Sequence, residues 1–419
     1  MYCSKETFFT IFKKNKFVFI CYFLVLFLSL WRNYSIYMTV FFCFYITFKV
    51  FIFKYMDTTS LCLLLFSLIY SCIYMPNSTS WTIFISYLLC PTVFYLFGKY
   101  MIDRLHNTNN IIMFWFLSIF AFSIILYIST SIDITRNGFI NITRSFAIYG
   151  AENDAGMAAT LYGMIASLGL MGFAYFFVKQ NSNFIRYMYI LLSLLSLITV
   201  VHLVNRTGLV VVIICFIVMS FYIFRHKKAI LIFTYVIMVI TFVLLIHFGI
   251  IDQSILEAYQ SRDTENEGVN SVGGRTDLWN LALNNLLRYP FGWLDTGVAY
   301  SHNLWLDIAR VSGIIPFIIF LIVSVKIYTE FFKLLKKKEE TVVPLFLGLH
   351  ICFFLTAFVE PLIEALPLYF YLYMMLWGMQ SRFLIKIRLS HNLDINRNDI
   401  RIVRNCENRL VVYNKSICK

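Results

Sequence analysis

The segment VAYSHNLWLDIARVSG places His302 beside an asparagine at the start of a long apolar run. If a helix begins near Ser301, then Asn303, Asp307 and Arg310 follow at spacings of four and three residues and form one polar face. Polar side chains at membrane depth are costly and generally serve a function. A neutral imidazole there could take a proton from a hydroxyl group as a general base. The spacing equally allows Ser301 to be a helix N-cap beside a surface histidine.

A second set of candidate residues consists of arginines in the segments that connect the apolar blocks. They are Arg136, Arg144, Arg206, Arg262, Arg275 and Arg288. Guanidinium is the preferred planar, permanently charged partner for phosphate, so a cluster of them would suit a lipid-linked pyrophosphate. Each arginine could instead contact a phospholipid headgroup or an acidic residue of its own loop. Arg206, in the short turn NRTG, and Arg275, after a double glycine, are the least explained by these simpler roles.

The acidic residues of the same segments are scattered. They are Asp133, Glu152, Asp154, Asp277, Asp295 and Glu360. No DxD, HExxH or EF-hand pattern occurs among them, so we expect a reaction that needs neither metal nor cofactor. Glu364 and Pro367 are interpreted as packing and kink residues of the last apolar block, and the other six histidines as packing or interfacial residues.

The composition identifies the elements that must position these residues. The chain has 419 residues, of which 60% are hydrophobic and 14% charged, against about a quarter charged in a typical globular protein. Its apolar runs are long enough to cross a bilayer. We predict an all-α polytopic membrane protein with about twelve transmembrane helices, near residues 17–31, 36–53, 59–75, 81–97, 111–129, 155–178, 186–204, 207–224, 229–249, 311–328, 342–359 and 362–379.

Basic residues mark every second connection between these spans, from Lys13 and Lys14 before the first span to the KLLKKKEE segment after the tenth. By the positive-inside rule both termini are cytoplasmic. The net charge of +13 thus serves orientation, and we expect no nucleic-acid partner. The other connections are external, and two of them are long: 130–154 and 250–304.

The large external loop, residues 250–304, lies between spans 9 and 10. It contains the turn-rich segment SRDTENEGVNSVGGR and then TDLWNLALNNLLRY. Leu278, Leu281, Leu283 and Leu286 recur there at helical spacing, which predicts an amphipathic helix on the outer surface. This arrangement predicts an external site beneath the loop.

Four stretches in order resemble the O-antigen ligase/polymerase family of bacterial inner-membrane proteins. GGRTDLWNLALNNLLRYPFG and SHNLWLDIARVSGIIP are similar to two blocks of that family, and NRTG is similar to the arginine turn that precedes them. RSFAIYGAENDAGMAATL is similar to the earlier external loop. The twelve-span layout extends the resemblance over most of the chain.

The resemblance implies glycan transfer from an undecaprenyl-pyrophosphate-linked oligosaccharide at the periplasmic face of the inner membrane. Matching positions assign His302 as the base that activates the acceptor hydroxyl, and Arg206 and Arg275 as ligands of the pyrophosphate. Arg144 and Arg136 are further phosphate contacts, and Asn303, Asp307 and Arg288 are supporting residues. Residues 1–390 would form the glycan-transfer domain and residues 391–419 a basic cytoplasmic tail.

The resemblance leaves two activities open, because both use the same donor. A polymerase joins repeat units, with a chain-length regulator of the same membrane as partner, and we expect this activity. A ligase moves the finished chain onto lipid A–core. A lipid-linked oligosaccharide flippase is the alternative of another class, but it would need charged or broken helices near the bilayer midplane.

Overall fold

A computed structural model of the chain describes residues 7–75, 80–141, 145–149, 157–175, 183–225, 275–294, 300–336 and 341–407, with isolated positions between 227 and 257. The described helices are α1 Phe8–Lys14, α2 Lys16–Phe27, α3 Arg32–Val50, α4 Thr58–Tyr74, α5 Trp81–Leu105, α6 Thr108–Asn137, α7 Ala159–Leu170, α8 Gly172–Tyr175, α9 Asn183–His202, α10 Arg206–Phe224, α11 Arg275–Arg288, α12 Leu304–Ser312, α13 Ile314–Leu335, α14 Val342–Val359, α15 Leu362–Ala365 and α16 Pro367–Glu407.

These helices make the chain an all-α, multi-pass membrane protein. Six of them (α5, α6, α9, α10, α13 and α14) are long and apolar enough to cross a bilayer, and four shorter apolar helices accompany them among the described residues. The ninth predicted span, 229–249, lies mostly outside those residues. The count of twelve spans therefore stays a prediction.

Helices α4 and α5 run in opposite directions, so the contacts at the two ends of this pair mark the two ends of the bundle. Asp57 caps the start of α4 and contacts Lys99 near the end of α5. At the opposite end of the same pair, the ring of Tyr74 packs edge-on against Tyr87, with centroids 5.1 Å apart. The connections predicted to be external thus meet at the Tyr74 end of the bundle, which we call the outer end.

The tightest helix packing joins α5 and α16. A Cβ atom on Gly98 would lie 2.1 Å from the carbonyl oxygen of Met375, and one on Gly378 would lie 1.8 Å from that of Tyr95. Only glycine allows two backbones to approach this closely, as in other membrane helix pairs. The same interface ends in a double hydrogen bond from Arg382 to Asp103, of 3.0 and 2.8 Å.

The end of the chain differs from its sequence interpretation in one respect. Pro367 does not kink the last long helix but occupies its first position, where a missing backbone N–H costs no hydrogen bond. Glu364 lies before it, in the short helix α15. α16 then continues without a break past residue 390, the predicted start of the tail, to Glu407.

The first long external connection contains a little strand structure. Residues Ser145–Phe146 (β1) pair antiparallel with Met157–Ala158 (β2), in the register Ser145 to Ala158 and Phe146 to Met157. The second strand of this two-residue ladder directly precedes α7. It is the only sheet among the described residues.

Candidate active site

Glu360 lies at the centre of a charged cluster at the outer end. It follows the last residue of α14, and its side chain is only 3% exposed. Its Oε1 atom accepts hydrogen bonds from the Thr207 hydroxyl at 3.0 Å and from Nη2 of Arg275 at 3.1 Å. A buried carboxylate is tolerated when donors and an opposite charge surround it, as they do here.

The second oxygen of Glu360 faces His302. Nδ1 of His302 lies 3.5 Å from Oε2 of Glu360, which is longer than a normal hydrogen bond. Both atoms are buried, and neither has a hydrogen-bond partner within the described part of the chain. The His302 side chain is nevertheless 33% exposed. If Nδ1–H points at the carboxylate, Nε2 keeps its lone pair and can accept a proton, which is the arrangement of a general base.

The backbone at His302 is held in an unusual conformation. Its φ of +54° lies in the left-handed region, which non-glycine residues seldom adopt. The next residue, Asn303, caps α12 because its Oδ1 accepts from the amides of Trp305 and Leu306 at 3.1 and 3.2 Å. Its Nδ2 donates to the Phe358 carbonyl oxygen at 3.2 Å, two residues before Glu360. Asn303 therefore fixes His302 relative to Glu360.

Asp307 braces the same turn from below. Its carboxylate accepts from the Ser301 amide and hydroxyl, both at 2.8 Å, and from the Asn303 amide at 3.2 Å. Burial raises the pKa of Asp307 above its usual range, against the opposing effect of these hydrogen bonds and of Arg310. Helix α12 begins at Leu304, and its N-cap is Asn303. The interpretation in which Ser301 starts or caps the helix was therefore wrong.

Arg310 connects this turn to a second buried carboxylate. Its Nε lies 3.8 Å from Asp307 Oδ1, and its Nη2 donates to Glu364. Its guanidinium also lies over the ring of Tyr300, 4.7 Å from the centroid. Burial raises the pKa of Glu364 to about 7, with the charge of Arg310 opposing that rise and the charge of Asp307 adding to it.

Arg275 is positioned by helix α11, which it begins. The edge of Trp279 packs against Phe358 at a centroid distance of 5.0 Å, and Ala282 is buried in a small cluster with Trp293 and Leu306. The predicted helix is therefore present, and Leu286 of the predicted apolar stripe packs against the same cluster. Leu281 and Leu283 of the predicted apolar stripe remain exposed, at 42% and 51%.

The turn after α11 is hydrogen-bonded to the end of α12 and the start of α13. The Trp293 amide donates to the Arg310 carbonyl oxygen at 2.8 Å, and the Ile314 amide donates to that of Pro290 at 2.9 Å. Gly313 at this junction has φ +80°, and a Cβ atom there would lie 2.0 Å from the Pro290 oxygen. These contacts hold α11, α12 and α13 together and so fix the position of Arg275 relative to His302.

Arg206 lies beside the Glu360 cluster because the next residue, Thr207, contacts Glu360. It is the first residue of α10, is half-buried, and precedes Thr207, which donates to Glu360. Asn205 caps the helix by accepting from the Gly208 amide at 2.8 Å. The amino terminus of a long helix favours anions, so α10 adds positive potential beside the two arginines.

The remaining candidate residues lie elsewhere or are not described. Arg288 is at the far end of α11, roughly 20 Å from Arg275 along the helix axis, where it is exposed and lies over the ring of Tyr289. Its expected support of the site is therefore not seen. Arg136 is exposed in the last turn of α6, and no ion pair links it to the Glu360 cluster within the described ranges. Arg144 and Arg262 lie outside the described residues.

A second histidine–carboxylate pair lies at the end of α9. Nε2 of His202 is 2.8 Å from Asp133 Oδ2, and Nδ1 is 2.7 Å from the Phe139 carbonyl oxygen. Asn137 and Asn141 each donate to the same carboxylate at 2.7 Å. His202 has no exposed surface. This saturated cluster ties α6 and α9 together, in agreement with the expected packing role of His202.

Sequence reasoning missed Glu360 as a site residue. It was counted among scattered acids because it lies 85 residues from Arg275 and 153 from Thr207 along the chain. One signal could have found it: an acid at the junction of two apolar spans, directly before a proline, with no basic residue near it in sequence. An acid in such a place needs a partner from a distant segment.

Comparison with known proteins supports the family resemblance. Residues 191–321 match the family model described as O-antigen ligase. The matched segment contains Arg206, Arg275 and His302 and stops before Glu360. No curated protein matches the chain significantly. The match covers residues 191–321, which include both of the resembling blocks and the arginine turn, and this part of the chain is similar to the O-antigen ligase family.

Proposed function

We propose that this protein is an O-antigen polymerase that joins undecaprenyl-pyrophosphate-linked oligosaccharide units at the periplasmic face of the bacterial inner membrane. The observation that carries this proposal is the partly exposed imidazole of His302, 3.5 Å from a buried carboxylate that is also bonded to Arg275. A candidate base, His302, and a candidate phosphate-binding cation, Arg275, thus both lie beside the carboxylate of Glu360. These are the two groups that glycosyl transfer from a lipid pyrophosphate requires.

His302 acts on the acceptor in the proposed reaction. Nε2 takes the proton of one acceptor hydroxyl while that oxygen attacks the anomeric carbon of the donor sugar. Glu360 stabilises the imidazolium that forms, since a carboxylate beside a developing positive charge lowers the barrier. A general base contributes about 10²- to 10⁴-fold to such a reaction.

Arg275 and Arg206 act on the leaving group. The bond between the anomeric carbon and the phosphate oxygen breaks, and undecaprenyl pyrophosphate leaves with the electron pair. A guanidinium has five N–H donors, and the bond to Glu360 uses one of them in Arg275. A single displacement of this kind inverts the configuration at the anomeric carbon. A product that retains the donor's configuration would contradict the mechanism.

A ligase is the second candidate, because the matching family model is described as O-antigen ligase. The chemistry at His302 and Arg275 would be the same, but the acceptor would be lipid A–core instead of a lipid-linked repeat unit. The donor-side residues therefore cannot separate the two activities. A polymerase would also work beside a chain-length regulator in the same membrane.

Deletion of the gene separates these activities in one experiment. Lipopolysaccharide that carries core plus one repeat unit identifies a polymerase. Bare core with accumulated lipid-linked polymer identifies a ligase. Accumulation of single lipid-linked units on the cytoplasmic side would instead identify a flippase and would contradict the proposal. Complementation with the wild-type chain must restore the full polysaccharide ladder in each case.

A further inference from the structure

A cavity of about 280 Å³ opens at the outer end of the bundle, beside the Glu360 cluster. Every helix that lines it contributes residues from its outer end: Ser29 follows α2, Thr39 lies in the third turn of α3, Ser86 and Tyr87 lie in the first two turns of α5, and Tyr371 lies near the start of α16. Since a helical turn rises 5.4 Å, the cavity reaches roughly 10 Å into the bundle.

The cavity and the candidate active site share a wall. Glu364 lines the cavity four residues after Glu360. Arg310 bonds to Glu364 on one side and lies 3.8 Å from Asp307, which braces the His302 turn, on the other. Tyr87 donates to the Ile363 carbonyl oxygen at 3.0 Å and so ties the cavity wall to α15. A molecule bound here would lie next to the reacting groups.

Hydroxyl groups dominate the polar part of this wall, and five of its seven hydroxyl groups already donate their hydrogens within the protein. The donors and their acceptors are Ser29 to Phe122 O at 3.4 Å, Thr39 to Ser35 O at 2.6 Å, Ser86 to Ile83 O at 2.7 Å, Tyr87 to Ile363 O at 3.0 Å, and Tyr371 to Ser86 Oγ at 3.3 Å. A hydroxyl has one hydrogen and two lone pairs. The wall therefore offers mainly acceptors.

This acceptor-rich wall selects among the parts of a lipid-linked glycan. A phosphate group brings no hydrogens of its own at neutral pH, so pyrophosphate does not suit a wall that offers mainly acceptors. A polyprenyl tail would cover the hydroxyl lone pairs without satisfying them, which is costly. A sugar brings several O–H donors and an apolar ring face that can lie against the rings of Tyr87 and Tyr371.

The size of the cavity restricts the ligand further. Pockets for small molecules generally measure about 300–1,000 Å³, and this one is at the lower limit. A single ring fits that volume, whereas a whole repeat unit does not. We propose that the cavity binds one sugar ring of the glycan substrate and positions it for transfer at His302. This inference rests on the proposed function and adds a sugar subsite to it.

The test compares two tyrosine variants that each lose one hydroxyl. Tyr371 in the cavity and Tyr22, which lies outside it and donates to Ser118 Oγ at 3.1 Å, are both buried and both bonded to a serine hydroxyl. Purified protein transfers lipid-linked oligosaccharide extracted from cells that lack the gene. With one hydrogen bond to the sugar lost, we expect Tyr371→Phe to raise KM about three- to tenfold, with a smaller effect on kcat. Tyr22→Phe should leave both constants near the wild-type values.

A competition experiment identifies the sugar. Each monosaccharide released by acid hydrolysis of the host's own polysaccharide is added separately to the wild-type reaction. We expect one of them to inhibit competitively, and its inhibition constant to rise in Tyr371→Phe but not in Tyr22→Phe. An inhibition constant that is equal in both variants, together with an unchanged KM, would overturn the proposal. Competitive inhibition by sugar-free undecaprenyl phosphate that weakens in Tyr371→Phe would overturn it too, because it places a lipid tail in the cavity.

The same assay distinguishes failure of the subsite from failure of the proposed function. If His302→Gln abolishes transfer while Tyr371→Phe behaves as wild type, the active site stands and the sugar subsite is wrong. If His302→Gln transfers at the wild-type rate, the proposed function itself fails, whatever the tyrosine variants show.

Discussion

Two histidine–carboxylate pairs lie at the same end of this helix bundle, and they differ in how fully their bonds are made. His202 has no exposed surface, and acceptors 2.7 and 2.8 Å away engage both of its ring nitrogens. His302 is one-third exposed, and its Nδ1 stops 3.5 Å short of Glu360. The first pair has no capacity left for a substrate, whereas the second has an accessible nitrogen and an incomplete bond.

The surroundings of each histidine decide its role. Asp133 accepts hydrogen bonds from two side-chain amides as well as contacting His202, so His202 is held in a structural position. Glu360 is surrounded by Thr207 and Arg275 on one oxygen only, which leaves the other to respond to His302. Active sites commonly keep such partly satisfied groups, whose bonds tighten only with substrate present.

The largest expected effect comes from changing the pair of His302 and Glu360. His302→Gln keeps a polar side chain of similar reach but removes the base, so we expect turnover to fall about 10²- to 10⁴-fold. In cells the polysaccharide ladder should disappear while the protein remains in the membrane at its normal level. An unchanged polysaccharide ladder would show that His302 is not the base and that the two histidine–carboxylate pairs do not differ in this respect.

A change in the pair of His202 and Asp133 should instead lower the stability of the protein. His202→Gln disrupts the hydrogen bonds that the imidazole makes to Asp133 and to the Phe139 carbonyl oxygen, which we expect to cost about 2 kcal/mol. The loss is limited because Asn137 and Asn141 still donate to the carboxylate. Thermal melting and membrane abundance should both decrease. The transfer rate per folded molecule should stay within about twofold of wild type, and a larger loss would assign His202 a role in the reaction.

The protonation of Glu364 supplies a pH test on the His302 side of the comparison. Burial raises its pKa from a usual 4.5 to about 7 in the folded protein. The folded state therefore holds this proton more tightly than the unfolded state does. The resulting stabilisation is complete below about pH 4.5 and is lost as the pH rises through 7, by at most roughly 3 kcal/mol.

Glu364→Gln should remove that part of the pH dependence. Melting temperature measured from pH 4.5 to 8 should decline more steeply in the wild type than in the variant. Glu330→Gln is a suitable control, since Glu330 lies in α13, away from the outer end. Parallel profiles for the wild type and Glu364→Gln would show that Glu364 does not titrate in this range.

Glu360→Gln should lower turnover less than His302→Gln does, because it leaves the base in place. The amide keeps the shape of the carboxylate but loses its charge, and a hydrogen bond to a charged group is worth about 1.5–3 kcal/mol. We expect a loss of roughly 10- to 150-fold, smaller than that of His302→Gln. A double variant of both residues should be no worse than His302→Gln alone, because the two act as one unit. Fully additive losses would mean that they act independently.

The sequence predicted the helices because apolar runs of the required length have few alternatives in a bilayer. His302, Arg275 and Arg206 were singled out by residue type and connecting position, but their predicted roles came from the family resemblance, because spacing left the role of His302 open. Glu360 was not, because its partners come from α10, α11 and the His302 turn, and the single sequence contains no record of those contacts.

Local detail at the site was also beyond the sequence. The helix was expected near Ser301, but the Asp307 carboxylate draws in the Ser301 amide and hydroxyl and delays the first turn to Leu304. The leucine stripe of α11 predicted a helix correctly, but not that Leu286 packs against the protein while Leu281 and Leu283 stay exposed. Trp279 and Ala282 pack inward because the end of α14 and the Trp293 turn accommodate them.

The most direct test of the central claim is chemical rescue of the base. His302→Gly removes the imidazole and suits the left-handed backbone at this position, which glycine adopts without strain. Purified His302→Gly should be inactive in transfer from lipid-linked oligosaccharide, and free imidazole should restore part of the rate, with no such gain in His202→Gly. Transfer by His302→Gly at the wild-type rate without imidazole would contradict the account.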